Sequence, residues 1–199
     1  SSWKQHFQPL CLGKKTVICP TWRQCYVGES DIVIKLDPGM AFGTGHHPTT
    51  RMCLERLEEE VRPGLRVLDV GCGEGYLLAY VRAIAPEIEL VGLDYDEKRL
   101  AVARLALGSQ PGVELVAGDV RDAQLPQADV VTCLDVLHYL DDDAQDAVLA
   151  RLAAAIRPGG RLLIRDGEAG LGLRSWLTLW SERIAVFLGR HRGTMVNLR

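Results

Sequence analysis

Three closely spaced glycines and two strand-end carboxylates carry most of the chemistry the sequence offers. Asp69-Val70-Gly71-Cys72-Gly73-Glu74-Gly75 follows the β-prone run Arg66-Val67-Leu68, and Leu77, Leu78, Tyr80, Val81 and Ile84 continue it with an apolar helical pattern. Strand, tight glycine turn and helix are expected in succession. Without a Cβ, such a turn can take positive φ values and let a ligand lie against backbone at the electropositive start of the next helix. A dinucleotide site would space its glycines Gly-x-Gly-x-x-Gly. Here the third glycine comes one residue early, which fits an NAD-dependent oxidoreductase poorly. Glu89-Leu90-Val91-Gly92-Leu93-Asp94 reads as a second strand ending in an acid. It lies about 20 residues past the turn, the offset at which a nucleoside-binding sheet sets a carboxylate on the ribose hydroxyls.

The elements that must position these groups follow an α/β pattern. A helix is expected from about Arg51 to Val61. Ala128-Asp129-Val130-Val131-Thr132-Cys133 reads as another strand, followed by Leu134, Asp135 and the run Val136-Leu137-His138-Tyr139-Leu140. Asp141, Asp142 and Asp143 supply a cap and negative charge to the first turn of a helix reaching about Ile156, with Val148, Leu149, Leu152, Ala155 and Ile156 facing inward. Pro158-Gly159-Gly160 then turns the chain into a strand from Arg161 to Arg165. Trp176, Trp180, Ile184 and Phe187 fall at three- and four-residue steps and predict a helix from about Leu173 to Leu188. Beyond it only Met195 to Leu198 could form a further strand, so an exposed sheet edge or the apolar helix would offer a homodimer surface.

Residues 1–35 are short apolar stretches broken by Pro9, Gly13, Pro20 and Gly28, with strands expected at Lys14–Cys19 and Ile32–Lys35. They read as an antiparallel lead-in segment of the same domain, whose body runs from 36 to 199. The 199 residues, 47% hydrophobic, can bury one full core. A formal net charge of −3 gives no general attraction for nucleic acid, and no long apolar run suggests a membrane partner. The six cysteines show no CxxC pair, which argues for reduced thiols in a cytoplasm and against zinc. His46 and His47 are adjacent on an extended loop and point apart, so no metal site is expected there.

The turn from Asp69 to Gly75, with Asp94 and Ala117-Gly118-Asp119, closely resembles the motifs of the class I S-adenosylmethionine (SAM) methyltransferases. The resemblance implies a Rossmann-like, doubly wound, mainly parallel sheet. It sets the glycine turn against the methionine and ribose, Asp69 near the ammonium, Asp94 on the ribose and Asp119 near the adenine. Leu36 to Thr50, together with Trp3, Phe7-x-Pro9, Gly13 and Pro20-x-Trp22, resembles the family that trimethylates lysines of the large-subunit ribosomal protein eleven. In that family the loop folds over the cofactor, which implies cofactor contacts from Phe42, Thr44, Thr50 and Gly71 as well as Asp94. Two departures stand out. The family carries an N-terminal recognition domain, and this chain begins just after where that domain would end. Leu134 stands where the family has an asparagine, and the Asp135 to Leu140 run is closer to small-molecule methyltransferases lining the cavity beside the methyl group. The specific likeness is expected to fade near residue 75, as in a chimeric or truncated chain.

The chemistry implied is direct displacement, in which a nucleophile takes the sulfonium methyl in line. The acceptor is a protein lysine amine or a small molecule. His138 is the histidine placed to act as base, with Asp135 as its orienter, and Leu134 lines the cofactor side. A non-catalytic SAM-binding scaffold is the alternative, since it would show the same cofactor motifs without turnover.

Overall fold

The structure, a computed structural model, describes residues 8–12, 16–26, 28, 31–35, 48–166 and 183–188, with backbone alone for 10, 12, 35, 48–50 and 183–188. Its elements in chain order are β1 (Leu10–Leu12), β2 (Thr16–Cys19), β3 (Ile32–Lys35), α1 (Pro48–Glu60), β4 (Arg66–Val70), α2 (Tyr76–Ile84), β5 (Glu89–Asp94), α3 (Glu97–Leu107), β6 (Val113–Ala117), β7 (Ala128–Leu134), a short 3₁₀ turn (Leu137–Tyr139), α4 (Asp142–Ala154), β8 (Ile156–Asp166) and β9 (Arg183–Leu188).

Six strands form the main sheet in the order β6-β5-β4-β7-β8-β9, parallel except for β9, which runs antiparallel to β8. The alternation of side chains along each strand divides the core in two. Val67, Leu90, Val130 and Leu163 face a layer built from α1, α2 and α3, where Leu54, Leu57, Leu78 and Leu100 are buried. Their neighbours Leu68, Val91, Val131 and Leu162 face Val148 and Leu152 of α4. Leu57, Leu68, Leu78, Leu90, Leu100, Leu152 and Leu162 are fully buried. Each contributes roughly 1.5–3 kcal/mol of transfer free energy. Helices on both faces make this the doubly wound α/β sheet expected.

The strand order fixes where a ligand can sit. From β4 the chain winds outward through β5 and β6, then crosses to β7 and β8 on the other side. The connections diverge between β4 and β7 and leave a crevice at their carboxyl ends, the usual binding position in open α/β sheets. At the opposite end, Asp129 Oδ2 accepts the Arg66 backbone N–H at 2.8 Å and Arg157 Nη1 at 2.9 Å, tying the starts of β4, β7 and β8.

Several expectations need correction. The segment before residue 36 is not wholly antiparallel. β1 pairs antiparallel with β2, but β2 pairs parallel with β3, Thr16 opposite Ile32. The 12 residues from Pro20 to Asp31 supply the long return that parallel pairing needs. Cys19 and Cys25 form a disulfide with Cα atoms 6.2 Å apart, so the six thiols are not all free. Cys11, Cys53, Cys72 and Cys133 are not in disulfides. Ile184 and Phe187 lie in β9, paired opposite Arg165 and Leu162, and not in a helix. The alternation Ile184, Val186, Leu188 suits a strand, and pairing with the edge of β8 decides the matter. Trp176, Trp180 and Met195 to Leu198 lie outside the described residues. β8 begins at Ile156, where the last helical turn was expected, and Pro158–Gly160 forms an irregularity in its pairing with β7.

Candidate functional site

The crevice is a cleft of about 280 Å³ lined by Val70 and Gly71 at the end of β4, Leu93 to Tyr95 at the end of β5, Gly118 to Arg121 after β6, and Val136, Tyr139 and Leu140 after β7. Its head is the glycine turn. Gly71, Gly73 and Gly75 all have positive φ, at 76°, 54° and 79°. Two are constrained by space as well. A Cβ on Gly71 would fall 2.3 Å from Val136 Cγ2, and one on Gly75 would fall 3.0 Å from Ala103 Cβ at the packed face of α3. A Cβ on Gly73 would meet nothing nearer than Arg99 Nη1 at 4.0 Å. The turn is therefore packed on its inner side and open at Gly73.

Asp94 binds the two halves of the site together. It is buried at the end of β5, where Oδ2 accepts the Gly73 N–H at 2.7 Å and Oδ1 accepts the Asp96 N–H at 2.8 Å. The turn is further held by the N–H groups of Gly71 and Cys72, both donating to the Leu93 carbonyl. An ionised carboxylate can accept about four hydrogen bonds. One bond on each oxygen leaves Asp94 capacity for two ligand hydroxyls.

Asp69 sits elsewhere than expected. It does not line the cleft; its carboxylate is buried beneath the turn and accepts Thr132 Oγ1–H at 2.7 Å. Burial pushes its pKa up to about 7, opposed by the Thr132 hydrogen bond and reinforced by the charge of Asp94. Burial likewise raises the Cys72 and Cys133 thiols, with Asp69 adding to both, so neither is a ready nucleophile. Asp119 lies on the cleft wall, where Arg121 bonds both of its oxygens and holds its pKa low.

Past β7 the predicted pairing is rearranged. Asp135 does not orient His138. It takes φ = 56° and forms a bidentate ion pair with buried Arg165 of β8, through Nε at 3.1 Å and Nη2. Burial raises the Asp135 pKa, with Arg165 opposing the shift. The partner of His138 is Asp166, whose Oδ1 lies 2.5 Å from His138 Nδ1. Residue type alone could not have found it, because Asp166 is 28 positions away on the neighbouring strand. Leu134 is half-buried at the end of β7. Phe42, Thr44, His46 and His47 lie outside the described residues, and Thr50 is placed by its backbone in the first turn of α1. Among the described residues no group of His, Cys, Asp and Glu could hold a metal ion, and no helix is long and apolar enough to cross a membrane.

Comparison with known proteins shows the family. The family model described as Ribosomal protein L11 methyltransferase (PrmA) matches residues 1–154. The chain belongs to this family. The match runs well past residue 75, through the glycine turn, Asp94, Leu134 and His138, so the specific likeness does not fade where expected and a chimera is not needed to explain it. The family member from Geobacter metallireducens is 44% identical over 169 residues, 82% of this chain and 52% of its own length. That from Desulfitobacterium hafniense is 37% identical over 184 residues, 86% of this chain and 56% of its own length. The chain thus spans about half the length of the curated relatives it matches. Among solved structures, SAM-bound CalS10, an amino pentose methyltransferase from Micromonospora echinaspora, is 35% identical with a TM-score of 0.50, covering 59% of this chain and 49% of that one. An O-methyltransferase family protein from Burkholderia thailandensis, 24% identical with a TM-score of 0.51 over 67% of this chain and 42% of that one, shares the fold.

Proposed function

We propose that this chain is a SAM-dependent methyltransferase whose acceptor is a lysine amine of a ribosomal protein; the names of its relatives support the ribosomal protein. The observation that carries the cofactor reading is Asp94, buried at the rim of the cleft with one backbone bond on each oxygen and hydroxyl-accepting capacity left. The open outer face of Gly73 fits a ligand lying on backbone. When bound, SAM supplies a methyl already activated on a sulfonium, transferred in one displacement with a neutral thioether as leaving group.

What the chain contributes is position and exclusion of water. Asp94 accepts the ribose hydroxyls. Val70, Leu93, Val120, Val136 and Leu140 line an apolar floor. Gly71 to Gly75 hold the methionine end, while Asp69, buried and bonded to Thr132, supports the end of β4 from which the turn starts. Phe42 and Thr44, outside the described residues, and Thr50, in the first turn of α1, are proposed as further cofactor contacts. Holding two reactants in line can supply roughly 7–11 kcal/mol of the barrier. The lysine must arrive as the neutral amine, well below its ordinary pKa of about 10.4, which burial against the cleft mouth favours.

Calorimetric titration with S-adenosylhomocysteine tests the cofactor site, and transfer of a labelled methyl to purified ribosomal protein L11 tests the acceptor. Micromolar binding followed by label in the protein is the expected result. A folded chain that fails to bind S-adenosylhomocysteine overturns the methyltransferase reading, and binding without transfer overturns the acceptor.

A further inference from the structure

Beside the cleft, the ends of β7 and β8 carry two side-chain clamps on consecutive residues. Arg165 grips Asp135, and the next residue, Asp166, holds His138 twice: Oδ2 accepts the His138 backbone N–H at 2.9 Å, and Oδ1 meets Nδ1 at 2.5 Å. In sequence His138 falls between the cleft residues Val136 and Tyr139 without itself lining the cleft, and its ring centroid is 4.0 Å from that of Tyr139. The imidazole is 29% exposed, so it is not a core side chain, while Asp166 at 16% is the better buried partner.

Resting on the methyl-transfer reading, we infer that Asp166 is a positioning residue that fixes His138 as the Nδ1–H tautomer, with Nε2 as a proton acceptor for the methyl acceptor. An ionised carboxylate can only accept, so Nδ1 must donate, and in the neutral ring the remaining nitrogen then carries the lone pair. The second bond, to the backbone of the same residue, leaves the ring little freedom to turn away. Among the described residues, the charged and titratable groups around it are Asp166 and Arg165 from β8, and Asp135 and Tyr139 from the segment after β7. In the step that follows, an acceptor ammonium gives one proton to Nε2 and becomes the neutral amine. Its lone pair forms the bond to the methyl carbon, the carbon–sulfur bond breaks, and that electron pair stays on sulfur. The imidazolium is held by Asp166 until it releases the proton to solvent.

Nitrogen NMR of the cofactor-free protein reads the tautomer directly, with the His138 signals identified by their loss in His138→Gln. At a pH where the ring is neutral, wild type is expected to show protonated Nδ1 and bare Nε2, and Asp166→Ala a shift toward the Nε2–H form that an unrestrained imidazole favours. Asp166→Asn, of equal size, serves if the alanine variant does not fold. An Nε2–H ring in the wild type, or an unchanged tautomer in the variants, overturns the inference. In labelled methyl transfer to ribosomal protein L11, His138→Gln and Asp166→Ala should lower kcat about 10²-fold, with KM nearly unchanged and the rising limb of the pH profile lost. Full kcat with an unaltered profile also overturns it. If wild type transfers no methyl to that protein, the proposed acceptor fails, and the tautomer still decides the role of Asp166.

Discussion

The carboxylate of Asp94 accepts the backbone N–H of Gly73 at 2.7 Å, so the acid at the end of β5 braces the glycine turn at the end of β4. One side chain thereby serves the shape of the turn and the ligand that the turn receives. Asp94→Ala should weaken S-adenosylhomocysteine binding by at least 10²-fold, since two charge-assisted bonds of about 1.5–3 kcal/mol each are lost. Asp94→Asn, which keeps one acceptor oxygen, should fall between the two. Calorimetric titration of the three proteins checks the order, and equal affinities would remove Asp94 from the site.

Gly71 should not tolerate a methyl group. Positive φ costs alanine about 1–2 kcal/mol, and the contact with Val136 Cγ2 adds about 1–3 kcal/mol of overpacking. Val136→Ala in the same chain should restore the steric part and leave the backbone part. Urea unfolding of the double-mutant cycle measures the coupling, which should be about 1–3 kcal/mol.

Asp69 predicts an unusual pH dependence of stability. Its folded pKa of about 7 lies above the unfolded value, so the folded state holds the proton more tightly. That contribution is complete below about pH 4 and is lost as pH rises toward 7. Asp69→Asn keeps an oxygen for Thr132 and cannot ionise. Its stability relative to wild type should therefore grow between pH 4 and pH 7, reaching about 2–4 kcal/mol. Denaturant unfolding across that range checks it; a constant difference would mean that Asp69 ionises at ordinary pH.

The Asp135–Arg165 pair should be costly to break from one side. Arg165→Ala leaves a carboxylate whose burial already disfavours ionisation and should cost about 3–5 kcal/mol. Asp135→Gly with Arg165→Met removes both charges and relieves the φ of 56°, and it should cost less than the sum of the single changes. Thermal unfolding of the four proteins distinguishes coupling from additivity.

The strand, turn and helix around Gly71 were legible in the sequence because their signals are local: three glycines at fixed spacing and apolar runs of opposite period on either side. Asp94 was legible for the same reason. The partner of His138 was not, because the register of β7 against β8 decides which acid lies beside it, and register is a property of two strands. Direction was hidden likewise: a four-residue strand such as Ile32–Lys35 reads the same whichever way its neighbour runs. Ile184 and Phe187 misled because a three-residue step fits one face of a helix, whereas in a strand it joins opposite faces of the sheet. What outvoted that step was the unpaired edge of β8, which no count along the chain contains.

Asp129 lies at the far end of the sheet from every group with a proposed role in chemistry. By anchoring the starts of β4, β7 and β8 with one carboxylate, it separates the foundation of the molecule from its working rim. Segments following the strands can be lengthened, exchanged or rewritten without disturbing the order of the strands beneath them. A scaffold divided in this way can change what its rim receives while keeping how it is built.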